Sequence, residues 1–444
     1  MKRVSLPDRT NVLLIGGGGR EHALAHALSR SPRLGELWLT DTDNAGLGRL
    51  GRRSPQPVDL SNVFMMQRWC DRNEIDLVVV GPEAPLAAGI TDVLTSDRRR
   101  VFGPSKAAAQ IESDKAFAKQ LMRHAAIPTA AARIFDEPET ARAYIDAHEE
   151  PCVVKAAGLA AGKGVFVCET PTEALEALQQ LMVSRVFGDA GATILIEEKL
   201  TGQEVSVLAL VDGRSIWLLD PCQDHKQLGE ADTGPNTGGM GAYCPTPLLD
   251  AAAMDIVQRQ IIVPAIDALR REGIEYRGVL YAGLMLTPAG PKVLEFNCRF
   301  GDPECQALIM RLKGDLLEIL WATSTGALND ITVRFDDRTS CCVVMCSGGY
   351  PGAYEKGKVI TGVEEAEALG GDREEVRVFH AGTIAADDGT LLTNGGRVLG
   401  VTALAEDLPS ARDLANAACR KIHFHGAYFR RDIGDRILAK VSNR

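Results

Sequence analysis

No run of about 18 uninterrupted apolar residues occurs in the 444-residue chain, so the sequence offers no membrane-spanning helix. Positive charge is in deficit: 49 Lys and Arg stand against 59 Asp and Glu, a net charge of −10. A general nucleic-acid or membrane-surface binder needs a basic face, so neither is expected as a partner. Phosphorylated small molecules remain open, because a few placed cations can hold a phosphate inside an acidic protein. The eleven cysteines contain no CxxC pair, and the closest group, Cys341, Cys342 and Cys346, lacks zinc or redox spacing. Reduced thiols in a cytoplasm are the expectation. The N-terminal MKRVSLPDRTNVLLIGGGG is no secretory signal: its apolar run, 12–15, enters a glycine turn with no small-residue cleavage site. A nucleophile elbow and an HExxH are also missing, and His423-x-His425 has no third ligand near in sequence, so Ser, Cys and zinc catalysis lack support.

What is present is an ordinary globular balance, 45% hydrophobic and 24% charged, with an excess of glycine at 44 residues. At roughly 150 residues per domain, the length suggests about three domains. Residues 11–15 read as a buried parallel strand, 16–19 as a tight turn and 21–29 as a helix, with further strands at 36–40 and 77–80. That alternation predicts a doubly wound α/β domain, with a glycine loop at the carboxyl end of its first strand, where such sheets bind ligands. A helical stretch begins at 114, followed by strands at 152–155, 165–168 and 193–197 and a helix over 171–183. Strands at 204–211 and 215–219 lead into a polar stretch, PCQDHKQLGEADTGPNTGGMGAYCP, too long for a simple connector. A helix over 252–271 and strands at 281–287 and 292–297 complete the middle region, and strands at 340–346, 376–380 and 398–403 mark an α+β domain.

Three segments carry chemistry. GGGGREHA (16–23) has Glu21 where a dinucleotide fingerprint requires its third glycine, so NAD is not expected; the amides at the helix start could still meet a phosphate. GLAAGKG (158–164) has three residues before Gly-Lys rather than four and no Ser or Thr after it, so it is not a P-loop. It reads instead as a mobile hairpin able to fold over a triphosphate, or as a plain surface hairpin. In KVLEFNCRFGDPECQ (292–306), strand alternation puts Glu295 and Asn297 on one face, two hard oxygens suited to magnesium or manganese bridged to phosphates. Arg299 follows, suited to an anionic substrate, although an Asn and a Glu capping the loop would read alike.

These segments, with GPEAPLAAGITD, FGPSKAAAQIESDKAFAK, GPNTGGMGAY, RGVLYAGLM, SGGYPGAYEKG, NGGRVLGVTA and YFRRDIG, closely resemble the phosphoribosylamine–glycine ligase family of ATP-grasp enzymes almost end to end. The resemblance implies an N-terminal doubly wound (pre-ATP-grasp) domain over 1–113 and an ATP-grasp domain over 114–325 with a mobile lid over about 128–203. An α+β domain would follow over 326–444. It implies ATP-dependent ligation of glycine to 5-phosphoribosylamine through glycyl phosphate, the second step of IMP formation in purine biosynthesis, with ATP and Mg2+ or Mn2+ bound. The protein would be cytoplasmic and a monomer or weak homodimer.

Roles follow from the same likeness. Lys115 and Lys155 would hold ATP phosphates, with Gly158, Gly162, Lys163 and Gly164 in the lid loop. Glu197, Glu198 and Leu200 would form the adenine hinge, and Glu204 would meet ribose. Glu295 and Asn297 would hold the metal, and Arg299, Asp224 and Lys226 would serve catalysis. Gly18, Arg20, Glu21, Asn44, Gly81, Pro82, Glu83, Asn236, Gly238, Gly239, Met240, Asp302, Lys358 and Arg397 would line the substrate side. Gln227, LGEAD (228–232), DNAGLG (43–48) and Asp114 depart from the family pattern, but none removes a metal ligand or a phosphate lysine. Two rivals are a carboxylase-like ATP-grasp ligase and a silent nucleotide-binding module. ADP release with and without glycine and phosphoribosylamine separates all three.

Overall fold

The computed structural model describes residues 5–55, 58–160 and 162–441. Ala161 of the glycine-rich loop and the first four residues of the N-terminal segment lie outside them. The first sheet is all parallel, in the order Arg52–Arg53, Leu34–Leu39, Thr10–Ile15, Leu77–Val80, Arg100–Phe102. Its central strands are runs of Val, Leu and Ile because both faces are covered. The chain leaves Thr10–Ile15 toward one edge and returns to the other side, so the order reverses between Thr10–Ile15 and Leu77–Val80. That reversal opens a crevice at the carboxyl ends of these strands, occupied by Gly16 to Gly19 and by Gly81.

The segment expected as the lid forms a separate antiparallel sheet, in the order Ala132–Phe135, Ile194–Glu198, Cys152–Ala156, Val165–Cys168. Helices Pro138–Asp146 and Pro171–Leu178 cover it, burying Ala141, Ile145, Ala174 and Leu178 with Val154 and Ile196 in a core of its own. The central sheet is also antiparallel: Ile216–Leu218, Gln203–Asp212, Arg277–Thr287, Gly290–Asn297. The helix expected over 252–271 is two helices, Ala251–Val257 and Val263–Arg271, joined by a π turn at Gln258–Ile262. Pro264 has no N–H for the ladder, and the widened turn accommodates it.

The stretch expected as one long loop is more ordered than its polarity suggests. Gln227–Gly229 and Thr233–Asn236 form a hairpin. Gln223–Asp224 and Gly241–Cys244 join the last sheet, in the order Gln223–Asp224, Gly241–Cys244, Thr339–Cys346, Arg397–Ala405, Glu375–His380. The buried apolar side chains of Met240, Ala242 and Tyr243 supply the reason. All eleven cysteines are free thiols. Among the described residues, no helix is long and apolar enough to cross a membrane.

One buried cation ties the central region to the last sheet. Arg311, 3% exposed, ends helix Glu304–Arg311 and donates to the Arg338 carbonyl at 2.7 Å, the Asp336 carbonyl at 2.6 Å and the Asp220 carboxylate at 2.5 Å. Arg311→Ala strands these acceptors and should lower the unfolding free energy by about 3 kcal/mol, read from the shift of the urea midpoint. A loss under about 1 kcal/mol would contradict this role.

Candidate functional site

A cleft lies where the lid sheet faces the end of strand Gly290–Asn297. Its walls include Lys115, Lys155, Gly162, Gly164, Glu197, Glu295, Asn297 and Arg299, with Glu83 at the N-terminal-domain side. Lys115 opens helix Lys115–His124, whose N-cap Asp114 accepts from Ala116 N–H at 2.9 Å and Phe117 N–H at 3.0 Å. Its ammonium donates to the Gly158 carbonyl at 3.2 Å, at the start of the glycine-rich loop. Lys155, on a lid strand, pairs with Glu197 at 2.8 Å and donates to the Leu294 carbonyl at 3.1 Å.

Strand alternation places Glu295 and Asn297 two residues apart, paired with Gly283 and Tyr281 of the next strand. Among the described residues the Glu295 carboxylate makes no hydrogen bond or ion pair. Burial would raise its pKa, but Lys226, Lys155, Lys115 and Arg299 outweigh burial and hold it below the ordinary carboxylate range. An ionised, uncommitted carboxylate beside an amide oxygen fits a hard divalent cation. No group of three or more His, Cys, Asp or Glu among the described residues is arranged to hold a metal alone.

Arg299 is the junction of the cleft. Its guanidinium pairs with Glu112 at 2.8 Å and Glu83 at 3.3 Å and donates to the Phe300 carbonyl at 3.3 Å. Glu112 also accepts the Cys298 N–H at 2.7 Å. Lys226 pairs with Glu204 at 2.9 Å, and the Asp224 carboxyl lies within the same electrostatic cluster. Burial pushes Asp224 up to about 7; Lys226 pulls it back, while Glu304, Glu204 and Glu295 push further. His225, between them in sequence, points elsewhere: it is fully buried, its Nε2 accepts the Gly434 N–H at 3.1 Å, and burial drops its pKa to about 3.

The N-terminal glycine loop has an occupant of its own. The Glu21 carboxylate accepts the Gly18 N–H at 2.7 Å and pairs with Arg20 at 2.7 Å. A Cβ at Gly81 would stand 2.0 Å from Glu21 Oε1, and one at Gly16, where φ is +116°, would meet both Glu21 and Pro82 at 2.8 Å. The glycines therefore make room for a buried carboxylate in the place a dinucleotide fold gives to pyrophosphate. Arg20 reaches on to the Phe300 carbonyl at 3.1 Å, joining this loop to the segment after Asn297. Asn44 bridges the Gly17 carbonyl to those of His380 and Ala381.

Other candidates gather elsewhere or stay apart. Arg397 pairs with Asp302 at 3.3 Å and donates to the Gly238 carbonyl at 2.6 Å, drawing Gly238, Gly239 and Asp302 together. Met240 is buried beneath them, and Asn236 sits exposed on the hairpin. Glu198 turns outward to Lys292 at 2.8 Å, and Lys163 is exposed at the tip of the lid loop. Lys358 pairs with Glu355 at 2.6 Å and does not line the cleft. Sequence reasoning missed Glu112 and Lys119. Glu112 carries no local signal, its Cys298 partner being 186 residues away, whereas Lys119 lies one helical turn from Lys115 and could have been found by that spacing.

With this geometry in hand, residues 10–112, 113–305 and 340–436 match, in turn, the N domain, ATP-grasp (A) domain and C domain of phosphoribosylglycinamide synthetase. The chain belongs to the phosphoribosylglycinamide synthetase family. A phosphoribosylamine–glycine ligase of Rhodopirellula baltica is 50% identical over 97% of this chain and 98% of its own length. The trifunctional purine biosynthetic protein adenosine-3 of Homo sapiens is 47% identical over 96% of this chain and 42% of its own length. The crystal structure of the Thermotoga maritima phosphoribosylamine–glycine ligase superposes with a TM-score of 0.79 at 32% identity, covering 96% of this chain and 100% of that one. A biotin carboxylase domain from Hydrogenobacter thermophilus, in complex with MgADP, gives 0.72 at 16% identity over 95% and 92% of the two chains, a likeness of fold alone. The three-part architecture of the phosphoribosylglycinamide synthetase family is thus the architecture observed.

Asp224 generates a stability prediction. Its raised value means that the folded chain holds this proton more tightly than the unfolded chain. Its contribution is therefore full below about pH 4 and is lost as pH rises through about 7. Asp224→Asn should flatten the stability profile over that window and leave the variant more stable than the parent at pH 8 by urea unfolding. A variant less stable at pH 8, with an unchanged slope, would contradict the buried environment described.

Proposed function

We propose that the chain joins glycine to 5-phospho-β-D-ribosylamine at the expense of ATP, giving glycinamide ribonucleotide, ADP and phosphate in purine biosynthesis. The observation that carries this reading is the uncommitted Glu295 carboxylate within the field of Lys115, Lys155, Lys226 and Arg299. Family membership narrows the chemistry to this ligation.

Glycine carboxylate is a poor acyl donor, and activating it by phosphoryl transfer brings one anion up to another. Lys115 and Lys155 stand at the phosphate side, and Arg299, anchored by Glu112 and Glu83, presents its guanidinium toward the carboxylate. Fixed cations of this kind stabilise most where charge spreads in the transition state. Glu295 and Asn297 would hold a divalent cation, Mg2+ or Mn2+, which would supply further charge neutralisation. The glycyl phosphate so formed hydrolyses readily, and the loop Gly158 to Gly164 is the element that excludes water over it. The phosphoribosyl amine then attacks the acyl carbon and must lose a proton. Asp224, poised near neutrality by burial, can accept it, with Lys226 and Glu204 holding its surroundings.

We place the phosphoribosyl group between the N-terminal loops and the 238–240 turn, where Arg20, Asn44 and Arg397 join the first and last sheets to residues 300–302. The domain limits 1–113, 114–325 and 326–444 belong to the same proposal.

Two outcomes test the reading. ADP release should require glycine, and steady turnover should require phosphoribosylamine as well. ADP release driven by bicarbonate in place of glycine would point instead to a carboxylase-like ligase. Glu295→Ala should fold, keep its thermal melting within a few degrees, and lose at least about 100-fold in kcat/KM. Near-normal turnover of that variant at limiting metal would contradict the metal-ligand role.

A further inference from the structure

Lys119 is a buried cation of the cleft to which the mechanism gives no task. It lies one turn beyond Lys115 on helix Lys115–His124 and is 1% exposed. Its ammonium has three N–H groups and meets three acceptors: Thr129 Oγ1 at 2.8 Å, the Ala130 carbonyl at 3.2 Å and Glu197 Oε1 at 2.9 Å. All three donors are engaged, so Lys119 has none to offer a ligand. Glu197, 3% exposed, gives its other oxygen to the Lys155 ammonium at 2.8 Å. Lys155 spends a second N–H on the Leu294 carbonyl at 3.1 Å and keeps one for the cleft.

The charge count makes the arrangement informative. Lys155 and Glu197 alone form a neutral buried pair with little attraction for a phosphate. Lys119 adds one positive charge on the far side of the same carboxylate, and the trio is left with a net +1. The Thr129 hydroxyl donates in turn to the Val293 carbonyl at 2.7 Å, so the same ammonium also pins residues 129–130 against strand Gly290–Asn297. We propose that Lys119 is a positioning residue for the nucleotide: it fixes Glu197 and takes up its charge, so that Lys155 meets the triphosphate as an uncancelled cation. The inference rests on the ATP-site reading of this cleft.

The test is calorimetric binding of ATP, ADP and adenosine, with Mg2+ present, to the full chain, to Lys119→Met and to Lys119→Met/Glu197→Gln. Lys119→Met should weaken ATP and ADP by about tenfold or more, and adenosine by less than about threefold. The double variant removes both charges, leaves Lys155 uncancelled again, and should recover most of the ATP affinity. A purely structural lysine would move the nucleoside and the nucleotides together and would show no recovery. Equal losses for adenosine and ATP, or a double variant no better than Lys119→Met, overturns the proposal. If Lys119→Met does not fold, Lys119→Gln, which keeps an amide donor for Thr129 but no charge, gives the same readout. A parent chain that binds no ATP would contradict the site reading itself, not the part given to Lys119.

Discussion

Mutual repulsion between anions is the constraint around which this molecule is arranged. A triphosphate and a carboxylate must approach each other, and the cations that permit this would repel one another if left bare. Three of them are therefore tethered to carboxylates, Lys155 to Glu197, Lys226 to Glu204, and Arg299 to Glu112 and Glu83, while Lys115 rests on the Gly158 carbonyl. Glu295 is the exception, a carboxylate with cations around it and no tether of its own, which supports the proposed metal-ligand role. Paired charges in a shielded cleft keep their direction while much of their desolvation cost is offset by the partner.

The fold supplies these tethers from distant parts of the chain. The lid strands carry Lys155 and Glu197, the helix before them Glu112, and the central sheet Glu204, Glu295 and Asn297. The N-terminal domain closes the arrangement through Arg20 on the Phe300 carbonyl and Glu83 on Arg299. Elements of all three parts of the chain thus meet over residues 297–302, the short segment NCRFGD.

Much of this was legible from sequence. Alternation along strand Gly290–Asn297 put Glu295 and Asn297 on one face, and the missing third glycine at Glu21 argued against NAD. In the structure the Glu21 carboxylate accepts the Gly18 N–H and packs against Gly16 and Gly81. Two things were hidden. The polar stretch after Pro221 read as a loop because its few apolar residues are scattered, yet Met240, Ala242, Tyr243 and Cys244 are buried where it joins the last sheet. Glu112 was missed because its partners, Cys298 and Arg299, arrive from a remote strand end and no local period encodes them, and Lys119 was missed although it lies one turn from Lys115.

The central claim is that this cleft activates the glycine carboxylate by phosphorylating it. Glycine labelled with 18O in its carboxylate, turned over with ATP and phosphoribosylamine, tests it directly. Attack on the γ-phosphorus followed by displacement at the acyl carbon leaves one carboxylate oxygen in the inorganic phosphate. The account predicts one 18O atom per phosphate released, and phosphate free of label would contradict it.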